Sequence, residues 1–271
     1  MRQTGNVVPS THIRCAVASY CRDMAVQEII LVRHGQSEGN VAAEAASRDN
    51  LDRIAVTARD ADVVLSETGR EQAAAVGRWL SELPDDERPG IVWSSPFRRA
   101  RETAEIALKV CDVDLDYRID ERLRDRDMGI TDALTARGIK EKYPEEAERR
   151  AWLGKFYYRP PGGESWADVA FRVRSVLGDL ATLEKHERVL LAAHDVVILL
   201  FCYVAEGMEE ESVLGRARTN GLRNAAICRL RRDPESPTGW QVTAYNEDQH
   251  LRDLGVRVTD QPGAADEVGG L

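Results

Sequence analysis

Short apolar runs alternate with longer amphipathic stretches along most of the chain. Residues 27–32 carry Ile29, Ile30, Leu31 and Val32 and read as a buried strand, ending where Gly35 lets the backbone turn. Residues 91–93 and 188–193 (RVLLAA) repeat that pattern, and residues 115–119, 225–230 and 240–244 read as further strands. Between them lie helical periods. Residues 41–48 form a short helix, and Ser66 is an N-cap before a helix whose apolar face is Ala73, Val76, Leu80 and Leu83. Ser95-Pro96 is expected to open a helix with proline at its first position. Residues 135–150 and 152–158 read as helices interrupted near Pro144, and residues 160–163 as a turn. Residues 164–184 form an amphipathic helix with Trp166, Val169, Val173, Val176, Leu177 and Leu180 on its core face, and residues 196–205 a buried helix. Residues 49–65 show no period.

Strands alternating with helices predict an α/β fold. The expected organisation is a flexible N-terminal extension over 1–26, one domain over 27–246, and a partly disordered C-terminal tail over 247–271, in which the stretch from Thr259 has too little apolar content to pack. Met24 stands just before the first strand and leaves open whether residues 1–23 are native.

Composition narrows the class. Of 271 residues, 43% are hydrophobic and 31% charged, ordinary for a soluble domain, and a net charge of -9 disfavours a general nucleic-acid or anionic-membrane surface. Five widely spaced cysteines without a CxxC pair suggest neither a disulfide framework nor a zinc site and fit a reducing cytoplasm. The first 26 residues lack a signal-peptide core, and the longest apolar run, 196–205, falls well short of the roughly 18 residues that span a bilayer.

Candidate chemistry sits where apolar runs stop. Arg33 and His34 end the first strand and His194 ends the strand at 188–193. Ligands of open α/β sheets bind outside the carboxyl ends of the strands, so both imidazoles enter one crevice if the two strands are parallel neighbours. In the helix after Ser95, the arginines at 98, 99 and 101 oppose the helix dipole unless an anion lies nearby. Arg98 and Arg101 are assigned to a solvated face with Glu102 and Glu105, and Arg99 to the anion. In the dense charge of DERLRDRDMG, Asp125 is the residue of interest.

These residues resemble the histidine phosphatase superfamily, in its phosphoglycerate-mutase-like branch. The fingerprint LVRHGxxxxN, SxxxRAxxT, a carboxylate before a glycine and a second histidine after a strand occurs in order as LVRHGQSEGN (31–40), SPFRRARET (95–103), DRDMG (125–129) and LLAAHD (190–195). Residues 139–177 look most like the bisphosphatase half of the bifunctional enzyme of fructose 2,6-bisphosphate, without its kinase half. Trp166, Asp195 and Leu199 stand where that family has tyrosine, glutamine and arginine, which counts against that substrate.

The resemblance implies a three-layer αβα sandwich with a mostly parallel central sheet. It makes His34 the nucleophile, with Arg33, Asn40, Arg99 and His194 around the phosphate and Asp125, one methylene shorter than the family's glutamate, as general acid. Independently of any family, cations aimed at phosphoryl oxygens offset their repulsion of a nucleophile, and a neutral imidazole needs no base to attack. The expected function is a metal-independent phosphomonoesterase acting on a small phosphorylated metabolite through a phosphohistidine, with no cofactor and no nucleic-acid or membrane partner. A homo-oligomer is compatible with the sequence. The alternatives are a mutase-type phosphotransferase and a catalytically weakened phospholigand-binding protein. Lys155, Tyr157, Tyr158, Arg159 and Trp166 flank the Pro-Gly turn, either as packing or over the pocket.

Overall fold

A computed structural model describes residues 26–260. The extension expected over 1–26 therefore lies, Val26 apart, outside the described residues, as does the end of the tail from 261. The described chain runs β1 (Glu28–Arg33), α1 (Glu38–Arg48), α2 (Glu67–Glu82), β2 (Ile91–Ser94), α3 (Arg98–Cys111), β3 (Asp116–Ile119), α4 (Ala136–Lys142), α5 (Pro144–Leu153), α6 (Trp166–Leu180), β4 (Arg188–Ala193), α7 (Asp195–Glu206), α8 (Glu210–Thr219), β5 (Ile227–Arg232), β6 (Trp240–Glu247) and α9 (Gln249–Asp253).

The strands form one six-stranded sheet in the order β3-β2-β4-β1-β5-β6. The first four are parallel, while β5 pairs antiparallel with β1 and β6 antiparallel with β5. All of β1 is buried, because its alternating side chains serve two cores. Ile29 and Leu31 pack with Val173, Val176, Ile198 and Phe201 of α6 and α7 on one face. Ile30 and Val32 pack with Val76, Leu80, Ala104 and Ala107 of α2 and α3 on the other. This is the three-layer αβα sandwich with a mostly parallel sheet.

Several local readings need correction. Ser95-Pro96 does not start a helix: α3 begins at Arg98 with Phe97 as N-cap. The Ser95 hydroxyl accepts from the Phe97 amide at 3.1 Å, a side-chain turn that delays the helix. Residues 154–158 are a turn, because α5 ends at Gly154 with φ 78. Helix α8 was not anticipated; its ten residues bury only Val213, so it carries no apolar period. Residues 247–260 are not loose: α9 buries Leu251 in the core beside α2. Thr259, expected to begin an unpacked stretch, is buried through polar contacts, donating to Asn224 Oδ1 at 2.9 Å and accepting from Gln72 Nε2 at 3.0 Å.

Candidate active site

The register of β1 and β4 decides the centre. Arg33 pairs with Ala193, so the next residue on each strand is a histidine, and the His34 amide donates to the Ala193 carbonyl at 3.0 Å. The two imidazoles meet edge to face with centroids 5.1 Å apart. The turn that follows is glycine by necessity. A Cβ on Gly35 would lie 2.4 Å from the Gly69 carbonyl oxygen, and one on Gly69 would lie 1.9 Å from that of Gln36. The first turn of α2 thus lies directly against the backbone that carries His34.

His34 Nδ1 lies 2.7 Å from the Gly35 carbonyl. A carbonyl only accepts, so Nδ1 carries the proton and Nε2 is the unprotonated nitrogen. Burial, then Arg99, His194 and Arg33, hold the His34 pKa well below the ordinary imidazole value, keeping the ring neutral at physiological pH. Arg33 is fully buried and its guanidinium donates to the Leu222 carbonyl.

Ser37 caps α1 and Asn40, the third residue of the helix, completes the capping box: its amide oxygen accepts from the Ser37 amide at 3.0 Å, the Ser37 hydroxyl at 3.1 Å and Asn224 Nδ2 at 3.3 Å. Asn224 Nδ2 also lies 3.3 Å from the His34 carbonyl. With its oxygen so occupied, Asn40 has its amide nitrogen to offer an incoming oxygen.

Arg99, in the first turn of α3, is buried between two carboxylates. Nη1 donates to the Asp60 carbonyl at 2.7 Å and Oδ1 at 3.0 Å; Nη2 donates to Asp60 Oδ2 at 3.3 Å and Asp125 Oδ2 at 2.7 Å. Asp125 Oδ2 also lies 3.2 Å from His194 Nδ1. Burial pushes the Asp125 pKa up, but His194 and Arg99 outweigh it and hold the carboxyl well below the ordinary carboxylate range. At Asp60 the balance falls the other way: burial, with Asp125 adding to it, raises the pKa despite Arg99. His194, which burial depresses and Asp125 partly restores, completes the line with Nε2 2.8 Å from Ser95 Oγ. The Phe97 ring walls the group, 5.3 Å from the His194 ring and 5.0 Å from the Arg99 guanidinium.

The loop carrying Asp125 is pinned from behind. Arg172 of α6 donates to the Arg122 carbonyl at 2.5 Å, the Asp125 carbonyl at 3.2 Å and Glu164 Oε1 at 3.0 Å.

The six residues singled out from sequence therefore lie together: Arg33, His34, Asn40, Arg99, Asp125 and His194. Sequence reasoning missed Asp60, Arg172, Asn224 and the role of Ser95. Of these only Ser95 had a signal, as the first residue of SPFRRARET. Arg98 pairs with Glu102 at 2.9 Å on the surface, whereas half-buried Arg101 pairs with neither Glu102 nor Glu105. Near the Pro-Gly turn, Tyr158 bonds Glu146, Tyr157 bonds Glu210, Arg159 pairs with Asp168, and Trp166 is in the core.

By distance alone His34, Asp125 and His194 could gather around a metal, since their ligand atoms lie within 4.8 Å of one another. The Arg99 guanidinium already bonds the Asp125 oxygen such a metal would need, and Arg33 adds a second cation, so the field favours an anion. Among the described residues no helix is long and apolar enough to cross a membrane.

Comparison with known proteins bears on this centre. The model of the histidine phosphatase superfamily (branch 1) matches residues 29–248. A 6-phosphofructo-2-kinase/fructose-2,6-bisphosphatase of Caenorhabditis elegans is 33% identical over 190 residues, 69% of this chain and 36% of that protein. The chain thus spans about a third of such bifunctional relatives. A probable phosphoglycerate mutase GpmB of Erwinia tasmaniensis is 28% identical over 231 residues, 83% of this chain and 95% of that one. Among solved structures, a mycobacterial glucosyl-3-phosphoglycerate phosphatase in complex with VO3 superposes with a TM-score of 0.62 at 26% identity, covering 82% of this chain and 100% of that one.

Proposed function

The chain belongs to the histidine phosphatase superfamily, and on that premise we propose that it is a metal-independent phosphomonoesterase acting on a small phosphorylated metabolite through phosphohistidine 34. The observation that carries this reading is the tautomer of His34. With its Nδ1 proton held by the Gly35 carbonyl, the neutral ring presents Nε2 as a nucleophile beside Arg33, Arg99 and His194.

The steps follow from the charges. The phosphoryl oxygens take Arg99 Nη2 from Asp125 and contact Arg33, the Asn40 amide and His194. Nε2 attacks phosphorus while the P–O bond to the leaving group breaks. An alkoxide is a strong base, so a proton from Asp125 leaves with it as the alcohol. Water then attacks phosphorus, the N–P bond breaks, the water's proton returns to Asp125, and inorganic phosphate departs.

Asp125 enters this cycle ionised. In the resting site Arg99 is paired with two carboxylates, Asp60 and Asp125, beside neutral imidazoles. A dianion entering that site separates Asp125 from Arg99 and adds negative charge beside it, and both effects drive proton uptake by its carboxyl.

Mixing enzyme with a phosphomonoester and quenching in alkaline denaturant is expected to trap acid-labile phosphate on His34, and His34→Ala to trap none and turn over nothing. Steady turnover without a trapped phosphoenzyme would refute the reading. The GpmB relative supports a second reading as mutase-type phosphotransferase, which a requirement for a bisphosphorylated primer would reveal.

A further inference from the structure

The solvent-facing members of the site are its anions. His34, His194, Arg33 and Arg99 are at most 4% exposed, whereas the side chains of Asp60 and Asp125 are 45% and 22% exposed. A phosphoryl group reaching the buried imidazoles therefore leaves the rest of its molecule beside these carboxylates. Asp60 keeps its place when phosphate takes the Nη2 side of Arg99 from Asp125, because its carbonyl and Oδ1 are bonded to Arg99 Nη1 at 2.7 and 3.0 Å. Those bonds keep the three-residue turn Asp60–Asp62 seated, and the Asp60 carboxylate, still paired with Arg99, stays at the mouth. Asp195, the first residue of α7, adds a third negative charge close enough to act on Arg33.

Building on the phosphatase reading, we infer that Asp60 sets substrate class: the site takes phosphomonoesters of uncharged polyols and rejects esters that carry a second anion, such as bisphosphates and phosphorylated carboxylic acids. The Asp60 carboxylate accepts a hydrogen bond from a hydroxyl of the leaving group, whereas a carboxylate or second phosphate there faces like charge at close range. For unit charges some 6 Å apart in a partly screened site, that repulsion is on the order of ten- to hundredfold in kcat/KM. This fits the absence of the bisphosphatase pattern at Asp195 and Leu199.

Glycerol 1-phosphate and 3-phosphoglycerate make the test pair, because they differ mainly in a hydroxymethyl group against a carboxylate. Wild type is expected to favour glycerol 1-phosphate at least tenfold in kcat/KM. Asp60→Asn and Asp60→Ala are each expected to shrink that ratio about tenfold or more, chiefly by lowering KM for the phosphorylated acid. Added salt should narrow the ratio in wild type and leave it nearly flat in the variants. A ratio unchanged in both variants, or a wild type that prefers 3-phosphoglycerate, overturns the inference while turnover of p-nitrophenyl phosphate with a trapped phosphoenzyme leaves the phosphatase reading standing. No turnover of the aryl ester overturns both. The ratio is internal to each variant, so a loss of folded protein cannot mimic the effect.

Discussion

Asp125→Asn removes one transferable proton from a side chain that keeps its size. The carboxylate it replaces reaches Arg99 at 2.7 Å and His194 at 3.2 Å, so two effects of opposite sign are expected. Without the acid, alkoxide must leave unprotonated, and kcat on an alkyl phosphate should fall by about 10² to 10⁴, or roughly 3 to 5 kcal/mol of barrier. Without the charge, Arg99 loses one of its two counter-ions and meets phosphate with less competition, so KM should stay level or fall. A nitrophenolate leaves readily without a proton, and kcat on p-nitrophenyl phosphate should fall less than about tenfold if the acid contributes little there. The assay is steady-state kinetics on glycerol 1-phosphate and on a series of substituted phenyl phosphates. In the variant, log kcat/KM should depend more steeply on leaving-group basicity than in wild type. Calorimetry of phosphate binding in buffers of different ionisation enthalpy checks the same residue by another route. Wild type should take up about one proton, because a carboxyl held well below its ordinary range is ionised beforehand, and the variant should take up less. Equal kinetic losses on alkyl and aryl esters, with the slope unchanged, would remove Asp125 from the acid role.

Two further outcomes concern stability. Burial lowers the His250 pKa from 6.5 to about 4, so between those values the unfolded chain binds a proton that the folded chain does not, and stability falls as pH falls through that window. At about 1.4 kcal/mol per pH unit per proton, His250 alone contributes a loss of about 3 kcal/mol across it. His34 and His194 act in the same direction. Urea unfolding of His250→Gln at several pH values should show a pH slope shallower by about one proton, and an unchanged slope would mean His250 is not buried neutral. Gly69→Ala drives a Cβ to 1.9 Å from the Gln36 carbonyl oxygen, a backbone atom beside the turn that carries His34. Overpacking of this kind costs about 1–3 kcal/mol, so Tm should fall by several degrees in a thermal melt, and kcat should fall with it as the turn shifts; a variant with wild-type Tm and kcat would show that α2 can draw back freely.

Much of the fold was legible because the signals are local. A strand buried on both faces reads as a continuous apolar run, an amphipathic helix as a 3.6-residue period, and a cap as Ser66 three residues before a backbone amide it can bind. These signals placed Arg33, His34 and His194 at strand ends and Arg99 in the first turn of a helix, while the role of Asp125 came from the family resemblance through its spacing to Gly129. Helix α8, without a period, left no such mark. The turn at 154–158 and the packing of residues 247–260 depend on partners elsewhere in the chain.

Alone, the sequence determined which chemical groups this protein carries and which of them stand where strands and helices begin or end, because backbone periodicity and turn preference act between near neighbours. Only the tertiary structure decided that β1 and β4 lie side by side, that Asp60 reaches Arg99 across 39 positions, and that Asp125 rests ionised between Arg99 and His194. Ionisation and charge balance follow from burial and from the distances between groups, and those distances do not exist until the chain has folded.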